Sequence, residues 1–129
     1  MDASFSRRKL VTPAELKALN TRSNLWGAVQ MASHLGAIVL AGYLHSLALG
    51  TAWVLLTGCV LGVLLNFLYA AQHELSHATV FATRGVNVLF GRLIGFVMIF
   101  PRDYDQVMHF AHHTHTHDWE KDGELVRAP

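Results

Sequence analysis

The polar and apolar positions divide the chain sharply. Residues 23–73 contain no Asp, Glu, Lys or Arg. As one helix this stretch would run about 75 Å at 1.5 Å per residue, whereas a single crossing of a ~30 Å hydrocarbon core takes about 20 residues. The stretch therefore predicts two membrane spans, roughly 25–45 and 52–72, joined by a tight turn at Leu49-Gly50-Thr51. Trp26 and Trp53 stand at span ends, where interfacial aromatic residues belong. Val54–Leu65 shows almost no polar stripe, which argues against a soluble core hairpin. The apolar run is too long, and starts too late, for a cleaved leader. A second, shorter apolar stretch, Val86–Phe100, is interrupted by Arg92 and stopped by Pro101. It predicts a helix lying at the membrane interface. Upstream, Thr12-Pro13-Ala14-Glu15 reads as a helix start, with Thr12 as cap and Glu15 reaching back to it. The fold class is all-α: a membrane helical hairpin followed by cytoplasmic or interfacial helices.

Composition narrows the function. The chain has 129 residues, 15% of them charged, a net charge of +1 and a single cysteine. That charge gives no basis for a nucleic-acid partner, and one cysteine excludes a disulfide scaffold. The charges that are present set the orientation. Arg7, Arg8, Lys9, Lys17 and Arg22 precede the spans, Arg84, Arg92 and Arg102 follow them, and the hairpin tip is uncharged. The positive-inside rule then puts both termini in the cytoplasm. Residues 1–24 form a cytoplasmic N-terminal segment, and 25–129 a membrane domain.

Histidine is the anomaly. There are nine, and seven of them fall at 73–77 and 109–117. His73 and His77 are four apart and stack on one helix face. On a helix, His109, His112, His113 and His117 share a second face, while His115 points away. An i, i+3, i+4 trio converges within little more than one turn, and imidazole suits zinc, copper, iron and nickel. His73, His77, His109, His112 and His113 are therefore the candidate metal ligands. His117 stands evenly between ligand and supporting residue. His115 reads as supporting or solvent-facing, and His34 and His45 as hydrogen-bonded polar residues within the spans. The acidic run Asp118, Glu120, Asp122, Glu124 is by default a solvated surface; the alternative is a carboxylate that orients a ligand imidazole. The segment His73-Glu74-Leu75-Ser76-His77 also fits the zinc-peptidase pattern, with Glu74 as base. That reading leaves His109, His112 and His113 unused.

From about Leu64 to Leu125 the chain resembles the membrane fatty acid desaturase family, histidine-box di-iron enzymes that include related lipid and carotenoid hydroxylases. The resemblance rests on His73-Glu74-Leu75-Ser76-His77-Ala78-Thr79-Val80-Phe81, on His109-Phe110-Ala111-His112-His113-Thr114-His115-Thr116, and on Asp122-Gly123-Glu124-Leu125. It implies His73 and His77 as first-box iron ligands and His109, His112 and His113 as second-box ligands. It also implies dioxygen as co-substrate, a membrane lipid acyl chain as substrate, and an electron donor such as a ferredoxin or a cytochrome. The family's third box, His-x-x-His-His, has no counterpart here, and five ligands make an incomplete di-iron set. The expectation is an N-terminal portion of a desaturase, inactive alone. The alternatives are a hydroxylase or ketolase of the same class, a membrane zinc peptidase using His73, Glu74 and His77, or a non-catalytic metal-binding membrane fragment.

Overall fold

The computed structural model of the chain describes residues 11–123 and Leu125. Arg7, Arg8, Lys9 and Glu124, used above for orientation and in the acidic run, lie outside the described residues. Five helices and no strand are present among the described residues: α1 Pro13–Leu19, α2 Asn24–Ala48, α3 Trp53–Ser76, α4 Arg84–Val97 and α5 Arg102–His115. The protein is all-α.

Helix α1 starts as its sequence predicts. The Thr12 hydroxyl accepts from Glu15 N (3.2 Å), and the Glu15 carboxylate accepts from Thr12 N (2.7 Å). These bonds satisfy backbone donors that a helix start leaves orphaned. The Thr12 backbone N–H, foremost, holds the Glu15 carboxyl below its ordinary pKa.

Helices α2 and α3 pack as a hairpin, and both are long and apolar enough to cross a membrane. Gly50 turns the chain at φ 79°, a left-handed conformation that glycine adopts without steric cost. Most of both helices is exposed, Leu55 at 81% and Val39 at 72%. In water such a surface would far exceed the apolar patch a soluble monomer tolerates; in lipid it is solvated. Each span is longer than the charge-free stretch suggests. α3 runs past Gln72 to Ser76, because Leu75 and Ser76 are buried against the rest of the fold and continuing the helix satisfies their backbone groups.

The core lies at one end of the hairpin. Met31, Leu68, Leu75, Phe81 and Ile94 form it, joining α2, α3, α4 and the loop between α3 and α4. Buried Asn87 shapes that loop. Its side-chain amide donates to the Phe81 and Thr83 carbonyls (2.8 and 3.1 Å), and its carbonyl accepts from Phe81 N (3.0 Å). Asn24 clasps the same loop from α2, accepting from Thr83 N (3.0 Å) and donating to its hydroxyl (2.9 Å).

Helix α4 matches the short apolar stretch, three residues shorter at its C-terminal end than the sequence suggests. It buries Asn87, Gly91, Ile94 and Gly95 and exposes Leu89, Leu93, Phe96 and Val97. After Pro101 the chain bends by 105° into α5. This corner returns α5 to the end of α3. Arg92 pairs with Asp103 across it (2.9 Å), and Asp103 also pairs with its neighbour Arg102 (2.8 Å). The Arg102 hydrogen bond, with further help from Arg92, holds the Asp103 carboxyl below its usual range.

Candidate metal centre

The first box occupies the last turn of α3 and its cap. His73 lies on the helix, and His77 is the capping residue. The chain then leaves through Ala78 in a left-handed conformation (φ 54°), which costs a non-glycine residue about 1–2 kcal/mol. Thr79 secures this exit: its N–H and its hydroxyl both donate to the Glu74 carbonyl (3.1 and 2.8 Å), and its hydroxyl also reaches the Glu74 carboxylate (2.7 Å). Glu74 is therefore tied to Thr79, and it lines a cavity between α2 and α3 with Gln30 and His34.

The second box lies on α5. Asp105, His109 and His113 follow at i, i+4 and i+8, one stripe of the helix, and Asp105 and His109 are buried. This stripe meets the first box. The Nε2 atoms of His77 and His109 are 3.0 Å apart, and those of His109 and His113 are 2.9 Å apart. The ring of His73 is centred 4.3 Å from that of His109 and 4.9 Å from that of His77. His73, His77 and His109 each offer a nitrogen, all within 4.8 Å of one another.

These spacings decide what the cluster suits. A single ring nitrogen carries one proton or one lone pair, so His109 Nε2 cannot make two well-formed hydrogen bonds to its neighbours' Nε2 atoms. A cation shared by His73, His77 and His109 would take the lone pairs these rings offer. Nitrogen ligands at about 2.1 Å from a metal stand about 3.0 Å apart on adjacent octahedral corners and about 3.4 Å apart in a tetrahedron. The His77–His109 separation of 3.0 Å is close to such an edge. Burial, and then the neighbouring His73, His109 and His113, hold His77 below the ordinary imidazole pKa, while Glu74 opposes this. Clustered imidazoles resist taking a second positive charge, and the neutral ring is the form that binds a metal. The donor set fits a cation.

His112 stands apart from this cluster. Its ring is centred 6.2 Å from those of His109 and His113, and its Nδ1 lies 2.9 Å from both carboxylate oxygens of Asp122. His115 is the last residue of α5. His117 requires a correction. It does not continue the helical face of His109 and His113, because α5 ends before it and its backbone is left-handed at φ 66°. Its N–H donates to Asp122 (3.1 Å), which replaces the helical bond. Asp122 itself is fully buried, not part of a solvated surface. His34 and His45 lie within the hairpin and bond the facing helix, at the Leu64 carbonyl (3.1 Å) and the Thr57 hydroxyl (3.0 Å).

A layer of polar side chains beneath the rings has no counterpart in the sequence reading. Buried Gln72 donates to buried Asp105 (3.2 Å), and Gln106 donates to the Ser76 carbonyl (2.8 Å). Both bonds tie the last turns of α3 to α5. Gly95 makes room for this layer, since a Cβ there would lie 2.9 Å from Gln72 Oε1 and 2.8 Å from Arg102 N. The available signal was periodicity: Asp105 is one turn before His109, a carboxylate on the ligand stripe.

Comparison with known proteins agrees with the geometry. Residues 50–129 match the sequence model of the fatty acid desaturase family, and the chain belongs to that family. The match covers both histidine boxes and more than half of the chain. No curated protein and no solved structure matches it. With two helices able to cross a bilayer, it is a membrane protein of that family.

Proposed function

We propose that the chain forms the metal-holding part of an oxygen-dependent oxidoreductase that dehydrogenates a lipid acyl chain. The observation that carries this reading is the meeting of His77, His109 and His113 through their Nε2 atoms at the end of a membrane-spanning helix. His73, His77 and His109 would hold one iron, and His113, beside His109, and His112, on the Asp122 side, would serve a second. Bound iron would activate dioxygen for attack on an unactivated C–H bond, chemistry that no side chain supplies. The residues contribute geometry. Gln72 and Asp105 hold α3 against α5, Asn87 fixes the loop after the first box, and the five imidazoles, bound in their neutral form, would leave the ions their full charge. The substrate comes from the bilayer: a cavity of about 360 Å³, lined by Met31, Leu64, Phe67 and Val80 among others, lies beside Glu74.

The charge pattern supports a cytoplasmic site with both termini on that side. A separate donor such as a ferredoxin or a cytochrome would deliver electrons there. The family match favours this reading over a zinc peptidase, and so does the engagement of Glu74 by Thr79. Desaturation and hydroxylation begin with the same hydrogen removal, so desaturation is proposed on the family match.

The test is metal analysis of the full chain purified in detergent and loaded with iron(II). Iron retained by the wild type and lost on His109→Ala supports the reading. Retention of zinc alone, with proteolysis that Glu74→Gln abolishes, would replace it with the peptidase.

A further inference from the structure

Asp122 lies in the turn that follows α5, and its side chain is fully buried. Both of its oxygens are 2.9 Å from His112 Nδ1, and Oδ2 also accepts from His117 N (3.1 Å). The turn is shaped to hold it there. His117 takes a left-handed backbone at φ 66°, and Gly123 sits so tightly on α5 that a Cβ would lie 2.9 Å from the Met108 carbonyl oxygen.

An ionised carboxylate only accepts hydrogen bonds. Held against Nδ1, it keeps the proton on that nitrogen and places the ring's lone pair on Nε2. We infer that Asp122 is the positioning residue of His112, fixing the tautomer in which Nε2 is the ligand nitrogen. The inference rests on the proposed function, because it takes His112 as a ligand.

A turn-capping role alone would be served equally well by asparagine, which still offers an oxygen to His117 N. The tautomer role would not. An amide at 122 would turn its oxygen to His117 N–H and its NH₂ to His112 Nδ1, moving the ring proton to Nε2. The same exchange in a Ser-His-Asp triad leaves the imidazole in the wrong tautomer.

The experiment uses the full chain in detergent micelles with ¹⁵N-labelled histidine, metal-free and at neutral pH. Long-range ¹H–¹⁵N spectra read the protonated nitrogen of His112, and iron(II) titration reads affinity. The wild type is expected to show Nδ1–H. Asp122→Asn should show Nε2–H with unchanged helicity and an iron affinity lower by roughly 10- to 100-fold. Nε2–H in the metal-free wild type would overturn the inference, and that measurement does not depend on whether the variant folds. So would a reversed tautomer with unchanged iron affinity. Should the tautomers behave as stated while the wild type takes up no iron, the positioning stands and the desaturase reading fails.

Discussion

The hairpin carries histidines in two settings. Within the spans, His34 and His45 each bond a group on the facing helix, a backbone carbonyl and a hydroxyl. At its end, His73 and His77 meet His109 and His113, and the rings are one another's neighbours. The side chain is the same in both settings. The difference is what the second helix brings. Facing α3 from α2, an imidazole meets backbone or hydroxyl and is satisfied singly. Facing α5, it meets more imidazoles, and the group together offers nitrogens that could hold a cation. Histidine spacing along one helix is thus half of a site, and the 105° corner between α4 and α5 supplies the other half.

The sharpest way to break the comparison is His109→Ala. His109 Nε2 is the atom that both His77 and His113 approach, so iron content measured by mass spectrometry should fall to background. His113→Ala and His112→Ala should each lower it. Next is Gln72→Ala, which strips the Asp105 carboxylate of a buried donor. It should lower chain stability by about 1–3 kcal/mol, read as a drop in melting temperature in detergent, and should loosen iron binding.

A smaller effect follows from pH. The pKa of His77 is lowered on folding, so the unfolded chain takes up its proton first on acidification. Stability of the metal-free chain should therefore be fully present above about pH 6.5 and decline as pH falls through the depressed folded value. His77→Gln should flatten that slope in a series of melts. The smallest effect belongs to the spans. His34→Ala or His45→Ala removes one interhelical hydrogen bond, worth about 0.6 kcal/mol in a membrane, and iron content should stay at the wild-type level. Equal iron loss from His34→Ala and His109→Ala would erase the distinction between the two settings.

The sequence made the hairpin legible because residues 23–73 exclude charge, and lipid admits little else but helix. It made the boxes legible because i, i+4 spacing is a local property. It did not reveal Gln72 and Asp105 as partners, since their bond joins residues 33 apart and depends on the corner at Pro101. His117 departs from the helical face for a related reason. A helical wheel projects onward without limit, whereas the real α5 ends at His115, where the Asp122 carboxylate takes over the His117 N–H. Asp122 itself sat in an acidic run whose ordinary fate is solvent, and only the folded turn separates it from its neighbours.

One rigid rod, α3, is long and apolar enough to cross the bilayer and also carries His73, with His77 as its cap. Its 24 residues span about 36 Å at 1.5 Å each, against about 30 Å of hydrocarbon. The surplus is roughly one turn, so the immersion of the clustered histidine rings is gauged by the tilt of that rod and by the thickness of the leaflet around it. A thicker bilayer would draw the rings toward the acyl tails, and a thinner one would lift them into the headgroups. The lipid environment would thereby decide which carbon along a chain comes level with the site.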